Sequence, residues 1–293
     1  MPVPRRSADP MRVLVTGAAG LLGSAVTEAF RASGDEVHPV GHDALDIVDA
    51  NAVTRLIGRI EPEVIVNCAA YNDVDAAEGD AAAALAVNAF GVLALARAAR
   101  ETGAILVHYS TDFVFDGETS RPYTEADEPA PRSVYASSKL LGEWFAADAP
   151  RHYVLRVESL FGPAGPAGGR RGSLGVIIDR IAAGGRVPVF IDRTVSPSFT
   201  SDVAAATRRL VASAAGPGLY HCVNDGAASW KAIAEEAARL MGKTLDLQPL
   251  TLDTVTLKAP RPRFCALSPA RLASLGIVMP SWQDALARHL QTL

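Results

Sequence analysis

The feature that most constrains this chain is a glycine-rich turn near its N-terminus, VLVTGAAGLLGSAV. Gly17, Gly20 and Gly23 directly follow an apolar run and open a helical pattern, with the spacing G-x-x-G-x-x-G. Such a turn lets backbone N–H groups approach a pyrophosphate, and the N-terminus of the helix that follows favours negative charge. We therefore predict that these glycines, together with Leu21 and Leu22, bind a dinucleotide.

Apolar runs and helical patterns alternate through the first half of the chain. The predicted strands are 12–17, 36–41, 63–70, 104–110 and 152–158, and the predicted helices are 22–33, 51–60, 80–101 and 133–147. This order predicts a parallel sheet with helices on both faces, and right-handed crossovers make the sheet doubly wound. We predict an α/β fold, a Rossmann-type doubly wound parallel sheet with a smaller, mixed C-terminal substrate-binding part.

The regular alternation of predicted strands and helices ends after Glu158, where a Gly/Pro/Arg-rich loop follows. Further helices are predicted near 174–183, from Asp202 and over 229–241, and further strands over 187–191 and 218–223. We divide the chain into a disordered leader (1–10), a dinucleotide-binding Rossmann domain (11–158) and a mainly substrate-binding part (159–293). Segments within about 187–223 are expected to return to the Rossmann domain.

The composition restricts the classes of function. Hydrophobic residues make up 49% of the 293 residues and charged residues 20%, which suffices for a packed core. The net charge of −4 and the lack of a long basic run argue against nucleic acid as the main partner. No apolar stretch approaches the ~18 residues of a membrane span, and Cys68, Cys222 and Cys265 show no metal-binding spacing. We expect a cytoplasmic protein with no membrane partner and no bound metal.

The end of the second predicted strand, PVGHDALDI, bears on which dinucleotide is bound. An acidic residue at this tip holds the adenosine ribose of NAD and would repel the 2′-phosphate of NADP. Here Gly41 leaves room for a phosphate and His42 can hydrogen-bond it, while Asp43 follows just beyond. We therefore favour NADP(H) and leave NAD(H) open. Asp46 and its neighbour Ile47 are candidates for the adenine edge, with a capping carboxylate as the alternative for Asp46.

A tyrosine and a lysine stand four residues apart in VYASSKLLGEW. On a helix this spacing places Tyr135 and Lys139 on one face, within reach of one site. Taken alone, the pattern is typical of an ordinary surface contact. The glycine turn upstream and the sequence STD (110–112) at a predicted strand end add a cofactor cradle and a further hydroxyl. We therefore interpret the pair as chemically active.

Several segments together resemble the extended short-chain dehydrogenase/reductases, and among them the dTDP-4-dehydrorhamnose reductase family. They are GAAGLLG (17–23), LDIVDA (45–50), PEVIVNCAAYNDVDAAE (62–78), HYSTDFVFDG (108–117), PYTEADEPAPRSVYASSKLLGE (122–143) and RPRF (261–264). The matches are dense up to about residue 145 and sparser afterwards. The resemblance implies an NAD(P)-dependent oxidoreductase that acts on a nucleotide-linked sugar in deoxysugar biosynthesis.

The resemblance assigns the chemistry to Thr111, Tyr135 and Lys139. Reduction of a 4-keto sugar needs a hydride at carbon and a proton at oxygen, and Tyr135 would donate the proton. Tyrosine titrates near ~10, so we expect the Lys139 ammonium to lower its pKa and to hydrogen-bond the nicotinamide ribose. Thr111 would orient the carbonyl. Ser110 is expected to cap the strand end and Asp112 to fix the local turn beside the substrate.

Other positions carry over from the cofactor site of that family. Asn67, Ala69 and Ala70 follow the third predicted strand, where small residues line the cofactor in the family. Asn88 lies in the Ala-rich helix, where asparagine is mildly unfavourable. We expect it to hold a water near the catalytic lysine, with a polar helix face as the alternative. Arg156 is expected to meet a phosphate or a carboxylate.

The substrate side departs from the family pattern. Glu158 and Ser159 replace residues of a T-S-W-x-Y-like run, and a cluster of extra arginines follows. Guanidinium groups recognise phosphate well, so we predict that Arg170, Arg171, Arg193 and Arg263 clamp a diphosphate. The predicted substrate-binding residues are Asp112, Glu158, Ser159, Arg193 and Arg263. These departures put the identity of the sugar in doubt.

Two functions of different classes remain open. The first is an NAD(P)H-dependent reductase of a nucleotide-linked 4-keto-6-deoxy sugar, with Tyr135 as the proton donor. The second is a non-catalytic NADP-binding regulatory subunit resembling that of methionine adenosyltransferase, which the altered substrate-side motifs keep open. A dehydratase would use an Asp–Glu pair beside the threonine, but Asp112 is followed by Phe113. Analogy of fold suggests a homodimer.

Overall fold

The structure, a computed structural model, describes residues 10–165, 172–213 and 215–293. Its strands are β1 (Arg12–Thr16), β2 (Glu36–Val40), β3 (Val64–Asn67), β4 (Ile105–Thr111), β5 (His152–Val157), β6 (Leu160–Phe161), β7 (Val187–Phe190), β8 (Thr194–Val195), β9 (Ser198–Phe199), β10 (Gly218–His221), β11 (Ala228–Ser229) and β12 (Leu247–Leu250). Arg170, Arg171 and the predicted leader, apart from Pro10, lie outside the described residues.

The helices surround these strands. They are α1 (Leu21–Ala32), α2 (Ala50–Ile60), α3 (Val74–Ala77), α4 (Ala81–Leu85), α5 (Val92–Thr102), α6 (Val134–Ala146), α7 (Gly172–Ala182), α8 (Thr200–Ala212), α9 (Trp230–Met241), α10 (Ala270–Ser274) and α11 (Trp282–Leu290). A π-helical segment, Ala86–Gly91, joins α4 to α5, and 3₁₀ turns lie at Asp112–Val114 and Leu252–Thr254. Ser133 and Ser229 cap α6 and α9 through their hydroxyls.

Six parallel strands form the central sheet, in the order β2-β1-β3-β4-β5-β10. The chain moves outward from β1 to β2 in one direction and from β3 to β10 in the other. The direction therefore switches between β1 and β3, and ligands bind in the crevice outside the carboxyl ends of strands at such a point. The predicted doubly wound α/β class is confirmed.

Helices cover both faces of the sheet. On one face α1 and α8 pack over β1 and β5, with Val26, Phe30 and Val203 fully buried. On the other face lie α2, α5 and α6, where Val53 and Leu95 are fully buried. Burial on both faces explains why the strands are continuous apolar runs rather than alternating ones.

The helix from Ala81 to Thr102 differs from the sequence prediction in two respects. It is not uniformly α-helical, because the π-helical segment interrupts it. It is also long and apolar enough, by length and composition, to cross a membrane, although no apolar stretch of that length was expected. Core helices meet the same criterion. This helix packs against α2, α6 and β4, and Val92, Leu95 and Ala99 are fully buried in that contact.

A second apolar core lies outside the sheet. Ile177, Val187, Phe199 and Ile233 bring together α7, β7, β9 and α9 in one buried cluster. β7 pairs with β12 in a separate two-stranded sheet, whereas α8 packs on α1 and β10 pairs with β5 in the central sheet. Within 187–223 the chain thus begins at the second core and returns to the first.

Candidate active site

The glycine-rich turn joins β1 to α1 at the point where the sheet direction switches. Gly17 has a φ of +62°, and a Cβ there would lie 2.6 Å from the backbone nitrogen of Ala69, in the loop after β3. A Cβ on Gly23 would overlap the carbonyl oxygen of Gly17. The two glycines therefore let the turn, the helix and the neighbouring strand end approach one another more closely than any side chain allows.

The N-terminus of α1 faces this crevice. Gly20 precedes the helix and offers no side-chain cap, and the first turn carries no acidic residue. The N–H groups of Leu21 and Leu22 belong to the first turn, where no intrahelical acceptor exists. Gly165 packs so closely on the turn that a Cβ there would lie 2.6 Å from the carbonyl oxygen of Ala19. Unpaired N–H groups at a helix N-terminus of this kind are suited to bind an anion.

The tip of β2 is open. A Cβ on Gly41 would meet no atom within 4 Å, and His42 beside it is exposed. Asp46 is exposed, and its carboxylate accepts the backbone N–H of Val48 at 3.0 Å. Ile47 is buried and contacts the π-helical segment near Gly91. Asp46 thus caps a local turn, as its alternative interpretation held, while Gly41 and His42 leave space where a 2′-phosphate would lie.

Asn67 ties together three strand ends. Its Oδ1 accepts the Thr16 hydroxyl at 2.7 Å and the Ala69 N–H at 3.1 Å, and its Nδ2 lies 3.1 Å from His108 Nδ1. Burial, and secondarily the Lys139 charge, hold the pKa of His108 well below its usual value. Asn67 therefore shapes the loop of Ala69 and Ala70, both half-buried beside the glycine turn.

Asn88 is almost fully buried in the π-helical segment, so a polar surface face is not its role. Its Oδ1 accepts the backbone N–H of Tyr71 at 2.8 Å. Its Nδ2 donates to the Tyr71 carbonyl at 3.0 Å and to Ser138 Oγ at 2.9 Å. Asn88 thus fastens the loop after β3 to the middle of α6. The π-helical geometry, common near functional sites, brings it there.

Thr111, Tyr135 and Lys139 lie together at the carboxyl end of β4. Burial raises the pKa of the Tyr135 phenol, a hydrogen bond from Thr111 lowers it by less, and the Asp112 carboxylate raises it further. Lys139 Nζ donates to the Tyr109 carbonyl at 2.6 Å. Burial lowers the pKa of Lys139 to about 8, against the opposing effects of Glu143 and Cys68. The expected lowering of the Tyr135 pKa by Lys139 is not found: burial dominates, and the one opposing contribution comes from Thr111.

A buried ion pair lies behind the tyrosine and lysine, and sequence reasoning missed it. Arg156 on β5 forms two hydrogen bonds with Glu143 on α6, at 2.8 and 2.7 Å, and both side chains are buried. Ser110 donates to the same carboxylate at 2.5 Å rather than capping the strand end. Of the two partners expected for Arg156, the structure shows the carboxylate. Glu143 follows Lys139 by four residues, a spacing that could have indicated a third inward-facing group.

A cluster of polar groups lies on the other side of Thr111. The Thr111 hydroxyl donates to Asp112 Oδ1 at 3.0 Å. Three side chains meet here: Asp112, Glu158 and Cys265. A carboxylate oxygen of each acid and the Sγ of the cysteine lie within 4.8 Å of one another, and all three residues are buried. Arg193 donates to Cys265 Sγ at 3.4 Å and to the Pro262 carbonyl at 3.1 Å. The spacing of the cysteines in the sequence did not indicate that Cys265 would join two carboxyl groups.

The predicted arginine clamp is not assembled in the described part of the chain. Arg193 faces the buried cluster just described, whereas Arg263 is half-exposed and pairs with Asp192 at 2.7 Å and Asp253 at 2.9 Å. Ser159 has a φ of +43°, in the left-handed region that is strained for most residues. It turns the chain sharply after Glu158.

A cavity of about 290 Å³ opens beside this site. Its lining includes Phe113 and Ser133, which lie two residues from Thr111 and Tyr135 respectively, and Arg132, Arg261 and Arg263. The ring of Phe113 lies edge-on to Tyr135, and guanidinium carbons of Arg193 and Arg261 lie 5.8 and 5.9 Å from its centre. The cavity therefore lies next to Tyr135, and its lining combines three arginines with Asp116 and Glu118, of which Glu118 pairs with Arg132 at 2.6 Å.

Comparisons of the sequence and of the fold with known proteins identify the same family. The family model described as RmlD substrate binding domain matches residues 11–293. A dTDP-4-dehydrorhamnose reductase of Streptomyces griseus is 36% identical, over 96% of this chain and 94% of its own. A Streptomyces antibioticus protein named "Probable dTDP-4,6-dihydroxy-2-methyloxan-3-one 4-ketoreductase" is 37% identical, over 94% and 93%. The crystal structure of dTDP-4-dehydrorhamnose reductase from Bacillus anthracis in complex with NADP aligns with a TM-score of 0.91 and 29% identity, over 97% of this chain and all of that one.

Proposed function

Because the chain belongs to the RmlD substrate binding domain family, we propose that it is an NADPH-dependent reductase of a dTDP-linked keto sugar. The observation that carries the proposal is the meeting of Thr111, Tyr135 and Lys139 at the end of β4, beside the glycine turn at the switch point of the sheet. A hydride donor bound in that crevice and a carbonyl held by these side chains would lie next to each other.

The cofactor is NADP(H). The Bacillus anthracis relative was crystallised with NADP, and the residues of this chain fit the same dinucleotide. Gly17, Gly20 and Gly23 make the close backbone approach that a pyrophosphate needs, and the space at Gly41 with exposed His42 suits a 2′-phosphate. When bound, the cofactor supplies the hydride, while the protein orients it and handles the proton.

In the proposed mechanism the protein moves one proton to the carbonyl oxygen. Tyr135 remains protonated at neutral pH because burial raises its pKa, so its phenol can donate to the oxygen as negative charge develops there. Thr111 hydrogen-bonds the same oxygen and holds the carbonyl in place. Lys139, with a pKa near 8 and one N–H bond to Tyr109, retains two donors for a cofactor ribose and the tyrosine oxygen.

We propose that the substrate sugar is a 4-keto-6-deoxy sugar, bound in the cavity between the 3₁₀ turn after β4 and the segment 260–263. Phe113 would offer its ring to the sugar, and Arg132 and Arg261 on the rim would face the diphosphate. Arg261 is held by Asp75 at 2.9 Å, so it is already oriented. Arg193 and Arg263 keep their predicted substrate role only if their present partners release them.

The test is oxidation of NADPH with a panel of dTDP-linked 4-keto-6-deoxy sugars, comparing the wild type with Tyr135→Phe. Loss of a general acid typically costs ~10²- to 10⁴-fold in rate, so we expect kcat to fall by that range. The KM for NADPH should stay close to that of the wild type. The control is Tyr153→Phe, because Tyr153 hydrogen-bonds the Ala215 carbonyl far from the site. Equal rates in the wild type and Tyr135→Phe would refute the assignment.

The names of the relatives compared above are those of reductases and give the non-catalytic alternative no support. The homodimer and the cytoplasmic location remain predictions. The three cysteines are free thiols, which agrees with a reducing compartment.

A further inference from the structure

Asp112 and Glu158, the carboxyl pair, form the most unusual polar group outside the catalytic trio. Their side chains are 4% and 1% exposed, and their oxygens lie within 4.8 Å of each other. Burial raises the pKa of Asp112 to about 6, and burial together with the Asp112 charge raises the pKa of Glu158 well above its usual range. Two buried carboxyl groups this close cannot both ionise near neutral pH. One of the two carboxyl groups is therefore protonated near neutral pH.

The charges around the pair agree with one proton on the two carboxyl groups. Arg193 is the cation among the described residues that acts on both carboxyl groups, so it compensates one negative charge and not two. The thiol of Cys265 stays neutral because burial raises its pKa, and it adds no further charge. Glu158 Oε2 accepts the Ser196 N–H at 2.7 Å. Its Oε1 is fully buried and has no hydrogen-bond partner, so a negative charge on this oxygen would be uncompensated and the protonated carboxyl group is favoured.

The pair is connected to the reacting group. Asp112 Oδ1 lies 3.0 Å from the Thr111 hydroxyl, which in turn hydrogen-bonds Tyr135. When the proton is on Asp112, this carboxyl group donates to Thr111, and Thr111 is then free to donate to Tyr135. The pair is thus separated from the phenol by one hydroxyl group, that of Thr111, and Glu158 stands at a position where the chain departs from its family.

We propose that the Asp112–Glu158 pair is a proton reserve that returns a proton through Thr111 to Tyr135 after each reduction, an inference that rests on the proposed function. Tyr135 gives its phenolic proton to the alkoxide formed by hydride transfer and becomes a phenolate. Thr111 passes its hydroxyl proton to the phenolate and takes the proton of the carboxyl pair. The pair is left with two negative charges and regains one proton from solvent, so each turnover consumes one proton.

A metal ion is the competing occupant of the same three side chains, since carboxylates and a thiolate bind divalent metals. Arg193 weighs against it, because its guanidinium donates to Cys265 Sγ and faces both carboxyl groups. A cation there would have to displace a positive charge and deprotonate a buried thiol. The proton satisfies the same charge balance without either step.

The first test needs no substrate and no turnover. Infrared spectroscopy of the wild type at pH 7 should show the C=O stretch of a protonated, buried carboxyl group, and Glu158→Gln should remove it or shift it to a lower pH. Absence of the band in the wild type at pH 7, or a stoichiometric divalent metal found by elemental analysis of the purified protein, would overturn the proposal. This measurement uses no substrate. It therefore reports the protonation state of the carboxyl pair even if the substrate panel shows no turnover and the proposed function fails.

The second test is the pH dependence of kcat. In Glu158→Gln, Asp112 still has the positive charge of Arg193 beside it but no longer has a second carboxyl group. The pKa of Asp112 is therefore expected to fall. In Glu158→Gln the decline of kcat at alkaline pH should therefore begin about one pH unit or more below that of the wild type, with the KM for NADPH unchanged. Glu236→Gln removes a partly buried carboxylate that pairs with exposed Arg239, and it is the control. A profile of Glu158→Gln that coincides with the wild type and the control would refute the relay, since a merely structural role would lower kcat equally at every pH.

Discussion

At the residue scale, Gly41 decides what can lie at the tip of β2. The position is outside the left-handed region and has no neighbour within 4 Å of an added Cβ, so a larger side chain fits without strain. NADP-dependent and NAD-dependent proteins differ at this place by the charge that meets the ribose. The choice of cofactor therefore rests here on the absence of one carboxylate.

We expect Gly41→Asp to weaken NADPH binding by about tenfold or more and to leave NADH binding equal or stronger. Like charges about 4 Å apart at an effective dielectric constant of about 20 repel by ~4 kcal/mol, and solvent at this half-exposed site reduces that value. Fluorescence titration with each cofactor measures the effect. Gly58→Asp adds the same charge on the exposed side of α2 and should change neither affinity. A preserved preference for NADPH in Gly41→Asp would contradict the role of this position.

The sequence predicted the Tyr135 and Lys139 pair because residues four apart share a helix face. It did not predict that Glu143, a further four residues on, would bind Arg156 across the sheet. The partner of a buried charge lies on another element, so its identity depends on how α6 packs on β5. The same reason explains why Cys265 and Arg193 were not recognised as neighbours of Asp112.

At the scale of elements, the contact between α6 and the π-helical segment fixes the site. A Cβ on Gly142 would overlap the backbone carbonyl of Asn88 and lie 3.2 Å from His108 Nε2. The close approach brings Ser138 within 2.9 Å of Asn88, which holds the Tyr71 backbone in turn. The position of the helix that carries the tyrosine and lysine thus depends on a glycine in the C-terminal half of the same helix.

We expect Gly142→Ala to destabilise the protein by about 1–3 kcal/mol, the usual cost of overpacking, although alanine favours a helix. It should also lower kcat, because α6 must move away from the π-helical segment. Denaturant unfolding and turnover measure the two effects. Gly58→Ala is the matched control, since its Cβ meets nothing within 4 Å and alanine should add up to about 1 kcal/mol. Equal stability changes in both variants would show that the close contact is unimportant.

At the scale of the whole molecule, Asp75 links the N-terminal half of the chain to the segment that lines the cavity. It lies on α3, beside the central sheet, and accepts the Ala259 N–H at 3.0 Å and Arg261 at 2.9 Å. These backbone and guanidinium partners hold the pKa of Asp75 below its usual value. The segment that lines the cavity is therefore fixed to α3, which packs on the helix that carries Tyr135 and Lys139.

We expect Asp75→Asn to raise the KM for the sugar substrate several-fold and to lower stability by less than about 1 kcal/mol, because 38% of the carboxylate side chain is exposed. The folded-state pKa is depressed, so this contribution is complete above the unfolded pKa of ~3.9 and disappears as the pH falls through the folded value. Unfolding measured at pH 7 and below pH 4 tests the sign. Asp253→Asn, at a more exposed ion pair, should change neither quantity. A difference between Asp75→Asn and the wild type that persists at low pH would contradict the electrostatic link.

The sequence by itself determined the alternating order of strands and helices, the closely packed glycine-rich turn, the fold class and the shared helix face of Tyr135 and Lys139. These follow from periodicity, backbone freedom and short spacings, which are local properties of the chain. Only the tertiary structure decided that Arg156 binds Glu143, that Arg193 joins the Asp112–Glu158 pair instead of an arginine clamp, and that Asn88 is buried. Those outcomes depend on residues distant in sequence that meet only when the helices pack on the sheet, and a buried charge takes the nearest partner that packing provides.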